Sequence, residues 1–205
     1  QYTELLQLSE KLAKEMKIKQ QRNPKDLFKG DFQRVIQNIM ELDLEDIHTY
    51  LQEIERFLQN ELEDPFIKTI IINALKEKGF EQEIQVNKFG KPINLNPAQY
   101  FSVQAVPFSL EVKQYIKEAL SDDNPSLLEN AITLCENFFF AIYPLEKEFQ
   151  NPLQWALAII SITASYFSQN LEEIEFIKEY SDQLSTDQIE EAKAFVQMVE
   201  AQFIK

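Results

Sequence analysis

The sequence predicts an all-α protein, a helical repeat or two-layer helical bundle, with one small β-hairpin near residues 83–95. Three observations lead there. Apolar residues recur at steps of three or four along most of the chain. Five of the eight prolines follow Asp or Asn, and only three glycines occur in 205 residues. So few glycines argue against phosphate-cradling loops and turn-rich β folds, which need many positions with φ > 0. A chain of this length buries roughly 70% of the surface its unfolded form exposes, enough to hold a core without a disulfide or a structural metal.

The elements follow in order. Leu5/Leu8/Leu12, Phe32/Val35/Ile36/Ile39/Met40 and Ile47/Leu51/Ile54/Leu58 mark at least three amphipathic helices. The pairs Asn23-Pro24, Asp64-Pro65, Asn96-Pro97, Asn124-Pro125 and Asn151-Pro152 read as helix starts. Asp or Asn at the cap accepts from an otherwise unpaired backbone N–H, and Pro at the first helical position has no N–H to leave unpaired. Helices are expected from Pro65, Pro125 and Pro152, with Pro24 and Pro97 as weaker candidates.

Between Glu83 and Leu95, Ile84, Val86, Ile93 and Leu95 alternate with polar residues around Phe89-Gly90, the pattern of a hairpin with Pro92 on its edge. Such an edge either accepts a strand from a partner or serves as a cover packed on helices.

Leu127–Tyr143 and Pro152–Phe167 are apolar on nearly every side and should form the centre of the C-terminal half. Amphipathic helices are expected again over Leu171–Tyr180 and Thr186–Ile204, the latter opened by a Ser185/Gln188 capping box. The total is about nine helices. The expected division is an N-terminal amphipathic, repeat-like region (1–80), the hairpin and linker (81–108) and a C-terminal helical bundle (109–205).

The formal net charge of -14 is unevenly spread. Residues 1–34 carry eight Lys/Arg against five Asp/Glu, residues 35–65 one against nine, and residues 171–205 three against nine. A body so acidic repels polyanions, which disfavours nucleic acid and anionic membrane surfaces as partners. The basic stretch Lys11, Lys14, Lys17, Lys19, Arg22 and Lys25 is the exception, and reads as the solvated face of the first helix. In the would-be recognition helix of a C-terminal helix-turn-helix, Asp187, Glu190 and Glu191 would face DNA phosphates, which disfavours that reading as well.

Catalytic and metal chemistry finds little footing. The single histidine, His48, stands in a Glu45-x-x-His48 spacing that di-iron bundles need twice. A calcium loop begun at Asp122 would put Leu127 where Gly is required and Thr133 where the closing Glu belongs. Cys135 has no basic neighbour in sequence and reads as a small core residue. Glu146 and Glu148, after Tyr143-Pro144, read as solvated loop acids. No catalytic residue, cofactor or metal is assigned, and no pattern sets an oligomeric state. A lone cysteine fits a reducing compartment, and Gln1-Tyr2-Thr3-Glu4 lacks the features of a secretory leader, so the expected location is cytoplasmic. No apolar run is long enough to span a bilayer.

The run Glu63-Asp64-Pro65-Phe66-Ile67-Lys68-Thr69 and the hairpin sequence Val86-Asn87-Lys88-Phe89-Gly90 resemble helical-repeat, tetratricopeptide-like proteins of Gram-positive bacteria that have no assigned activity. The resemblance extends over about residues 28–205. It implies a mainly helical, repeat-type scaffold and transfers no catalytic residue.

The leading functional expectation is a non-catalytic cytoplasmic scaffold or protein-interaction module. Glu41, Asp43, Glu45 and Asp46, with Glu172, Glu173 and Glu175, would form acidic walls favouring a basic protein or peptide partner. The alternative is a small-ligand binder or enzyme with an aromatic pocket at Tyr143, Trp155 and Tyr166. A third reading is a nucleic-acid-associated regulator acting through residues 11–34.

Overall fold

A computed structural model describes residues 26–120, 124–168 and 184–202. The expected helices over Leu5–Met16 and Leu171–Tyr180, the basic stretch Lys11–Lys25 and the residues Asp122, Asp123, Glu172, Glu173 and Glu175 lie outside the described residues. Among the described residues the protein is helical, with seven α-helices and one two-stranded antiparallel hairpin, as the apolar periodicity and the alternation at 83–95 predicted. The chain divides into two compact units, Gln1–Phe57 and Leu58–Lys205.

In the first unit, α1 (Phe32–Met40) begins where the Asp31 carboxylate accepts from Arg34 N at 2.9 Å. Helix α2 (Leu44–Gln59) runs to the end of the unit and just beyond it. Val35, Ile39, Ile47, Ile54 and Leu58 are buried as expected, with Tyr50 and Phe57 beside them, whereas Phe32 and Met40 at the ends of α1 are exposed and Leu51 is half-buried. Phe28 stacks on Phe57 with ring centroids 4.2 Å apart.

In the second unit, α3 (Pro65–Glu77), α5 (Pro125–Ile142) and α6 (Pro152–Tyr166) all begin at the Asx-Pro pairs that predicted them. Asp64 accepts from Phe66 N and Ile67 N, and Asn124 from Leu127 N. Asn151 departs from that expectation. Its backbone is left-handed (φ 56°) and its side chain makes no cap bond, so Gln154 N is satisfied by the Asn151 carbonyl instead. Asn96-Pro97 starts only the three-residue 3₁₀ turn Pro97–Gln99.

Helix α6 is central. It packs against α4 (Pro107–Leu120), α5 and α7 (Thr186–Glu200), and every residue from Trp155 to Ala164 is buried. That is the environment an all-round apolar helix requires. Helix α7 opens with the predicted Ser185/Gln188 capping box.

Strands β1 (Ile84–Lys88) and β2 (Lys91–Leu95) pair in the register Ile84↔Leu95 to Lys88↔Lys91, joined by Phe89-Gly90 with both residues at positive φ. Two positive-φ turn residues match the right-handed twist of the strands, and Gly90 meets the requirement at no steric cost. Phe89 is a bulky residue in the same region (φ 52°); its ring packs edge-on to Phe195 at 6.0 Å, which holds it there.

Candidate functional site

Two polar constellations stand in the second unit, one closed and one open. The closed one centres on Lys88. Its ammonium is buried and donates to Thr69 Oγ1 at 2.7 Å, to the Ala141 carbonyl at 2.7 Å and to the Pro65 carbonyl. Thr69 passes the chain on by donating to the Phe140 carbonyl at 2.6 Å. Lys68, also buried, donates to the carbonyls of Asn60 at 2.6 Å and Asn87 at 2.7 Å. Burial lowers both lysines, Lys68 to about 8, and Lys68 adds charge repulsion that lowers Lys88 further.

Close by in this constellation, Glu146 overturns its reading as a solvated loop acid. The 3₁₀ turn Leu145–Glu148 folds it into the core, where Oε1 accepts from the Tyr100 hydroxyl at 3.0 Å and Oε2 has no partner. Burial raises its carboxyl to about 7; the backbone, Tyr100, Lys88 and Lys147 offset part of that rise. The Lys88 and Lys68 ammonium groups tie the hairpin to α3, α5 and the Asn60 turn, and Lys68, Lys88 and Glu146 are all buried.

Lysines also meet the two hairpin edges. The Asn87 carbonyl takes the Lys68 ammonium, the Asn94 carbonyl takes that of Lys147 at 2.7 Å, and Pro92 has no N–H to offer. One outward carbonyl on each strand is thereby engaged within the protein. The hairpin is bonded to α3 and α5 through Lys88 and Lys68.

The open constellation is a groove of about 570 Å³ at the N-terminal ends of α6 and α7, within the usual range for ligand sites. Trp155, Phe149, Phe195 and Ala192 form its floor; Glu148, Gln150, Asn151, Gln154, Gln188 and Glu191 form its rim, and Lys91 enters from the hairpin. Phe149 lies flat on Trp155 (4.1 Å, 7° between planes), and Phe195 meets both edge-on at 6.0 Å. Gln154 donates to the Gln188 carbonyl at 2.7 Å and so joins the two helix ends. On α7 the lining positions 188, 191, 192 and 195 fall at helical spacing on one face.

Of the three aromatic residues singled out from the sequence, only Trp155 lines this groove. Tyr143 is buried elsewhere and donates to the Phe101 carbonyl at 2.7 Å. Tyr166 stands eleven residues along α6, about 16 Å from Trp155 by helical rise, exposed and bonded to Glu200.

The acidic cluster lies on the first unit. Asp43 Oδ1 accepts from Asp46 N at 2.9 Å and Asp46 Oδ2 from Asp43 N at 3.2 Å, a reciprocal cap on α2. Glu41 accepts from Gln37 and Glu45 is exposed in the first turn. Cys135 is buried, as expected of a core residue, and burial pushes its thiol up to about 12. His48 is exposed on α2, and among the described residues no group of three or more His, Cys, Asp or Glu could hold a metal ion.

The groove residues carried a weak sequence signal, the helical spacing of 188, 191, 192 and 195. The buried lysines carry a stronger one. Lys88 shares the inward i, i+2, i+4 face with Ile84 and Val86, and Lys68 shares the face of Ile71, Ile72 and Leu75.

Among the described residues the fold is helical, with an open groove between helix ends. The chain is 24% identical over 135 residues to the TPR repeat-containing protein YsoA of Bacillus subtilis (strain 168). That match covers 65% of this chain and 40% of the relative, so the chain spans well under half of the relative's length. It bears out the resemblance to Gram-positive tetratricopeptide-like proteins and fits the helical-repeat fold. No family model matches the chain, and no solved structure does. Among the described residues no helix is long and apolar enough to cross a membrane.

Proposed function

We propose that this protein is a non-catalytic, cytoplasmic interaction module that holds a segment of a partner protein, and that the partner is basic. The observation that carries this reading is the groove at the N-terminal ends of α6 and α7, with its aromatic floor and polar rim. Similarity to a repeat-containing protein supports it, because helical-repeat folds present extended surfaces to protein partners. The charge of -14, and the acidic run Glu41, Asp43, Glu45 and Asp46, favour positively charged partners and speed their encounter.

The test is a photo-crosslinking amino acid placed at Gln188, on the groove rim, and at Gln114, exposed on α4 away from it. The expected result in the native cell is a discrete protein adduct from position 188 and none from position 114. Equal labelling from both, or none from either, counts against the module.

A second reading, a small-molecule site, is favoured by the groove's volume of about 570 Å³ and by Trp155 beneath it. Here the Trp155 emission would respond to a low-molecular-weight cell extract and not to the dialysed macromolecular fraction.

A further inference from the structure

The rim of the groove holds exposed side chains whose hydrogen-bonding capacity is used by no other described group of the protein. Among the described residues, no hydrogen bond or ion pair engages the side chains of Glu148, Gln150, Asn151, Glu191 or Lys91. Elsewhere in the same unit some comparable groups are engaged, as are Lys147 on Asn94, Lys113 on Glu136 and Lys193 on Glu190. A carboxamide both donates and accepts, so Gln150 and Asn151 match the alternating C=O and N–H of an extended peptide main chain. The lining also carries two carboxylates against one ammonium, and the whole chain is strongly anionic, so an anionic occupant is repelled and a cationic side chain is attracted. The aromatic floor gives the apolar stem of a long cationic side chain a surface to lie against.

We propose that the groove binds an extended peptide segment through its main chain, with one arginine or lysine of that segment paired to Glu148 and Glu191. This deepens the interaction-module reading and rests on it. The residues Gln150 and Asn151 hold the main chain, the two glutamates select the side chain, and Lys91 sets the end of the groove at which a cation is unwelcome.

The test uses the full chain against an arrayed library of random hexapeptides, followed by titration of the strongest binders with Trp155 emission as the reporter. Trp155 is the only tryptophan, so its signal belongs to the groove. Bound peptides are expected to be enriched in Arg or Lys at one position. Replacing that residue by citrulline or norleucine should weaken binding at least tenfold, as should the double variant E148Q/E191Q, while K91A should bind more tightly. Both glutamates are exposed, so the double variant keeps its fold, which circular dichroism checks. Selected peptides without a basic position, or equal binding by the wild type and E148Q/E191Q, would overturn the cationic pairing and leave the module standing. A library with no peptide bound above background would overturn both.

Discussion

The buried cluster around Lys88 and the groove around Trp155 are both polar, both lie in the second unit and both involve the hairpin, yet they do opposite things. In the cluster, the Lys88 ammonium reaches three acceptors on α3 and α5, and Lys68 reaches two carbonyls. In the groove, five rim side chains reach none. A polar group sealed in the core must be matched inside the protein, because water cannot serve it; its role is then to hold elements in place. A polar group on an open rim is matched by water and can exchange that water for a partner. Matching, more than charge, separates structural from functional polar residues here.

The largest effect should come from breaking the cluster. Lys88→Ala leaves three buried acceptors without their donor and opens a cavity, and should cost about 3–5 kcal/mol in urea unfolding. Lys88→Met, which fills the volume and still strands the acceptors, should recover only part of that loss. If Lys88→Met is as stable as the wild type, the cluster is not what fastens the hairpin.

The next effect depends on pH. The Glu146 carboxyl is raised from 4.5 to about 7, so the folded protein holds a proton that the unfolded chain releases. The stabilisation is complete below pH 4.5 and is lost as pH rises through 7, a change on the order of 2–3 kcal/mol. Lys68, lowered from 10.5 to about 8, works on the other flank: its stability deficit is present below 8 and disappears as pH approaches 10.5. Lys88, also lowered by burial, adds to the rise, so unfolding should show stability falling as pH approaches 7 from the acid side and rising again toward 10.5. Glu146→Gln should flatten the acid flank and leave the alkaline flank intact; an unchanged profile would mean that the carboxyl is not sealed in.

A smaller loss, about 1 kcal/mol, is expected for Asp64→Ala, because the carboxylate caps α3 at two backbone N–H groups. Asn151→Ala removes no cap bond, but places a Cβ without a polar side chain at φ 56° and should cost a similar amount through the backbone alone. Asn151→Gly should restore or exceed wild-type stability, which separates the two causes by thermal melting.

The smallest effect on stability belongs to the groove. E148Q/E191Q should shift the unfolding free energy by less than about 0.5 kcal/mol while changing peptide binding. A larger shift would place these glutamates with the structural polar residues after all.

Much of the fold was legible. Asp64-Pro65, Asn124-Pro125 and Asn151-Pro152 each opened the helix they predicted, and the alternation from Ile84 to Leu95 gave the hairpin. These are local rules, with cap, ring and side-chain period all acting within a few residues. Glu146 was not legible. Tyr-Pro-Leu-Glu-Lys-Glu reads as a solvated turn, and its burial comes from packing against Tyr100, 46 residues away. Nor was the pairing of Trp155 with Tyr143 and Tyr166 a sound guide to a pocket, since one is sealed in the core and the other stands about three turns along the helix.

The sequence by itself therefore determined the helical class, the helix starts, the hairpin and the strongly acidic balance, because each rests on neighbours in the chain or on composition. Only the tertiary structure decided which polar residues are matched inside the protein and which face outward. Lys88 meets Ala141 across 53 residues and Gln154 meets Gln188 across 34, and distances of that kind are set by packing, which no local pattern encodes.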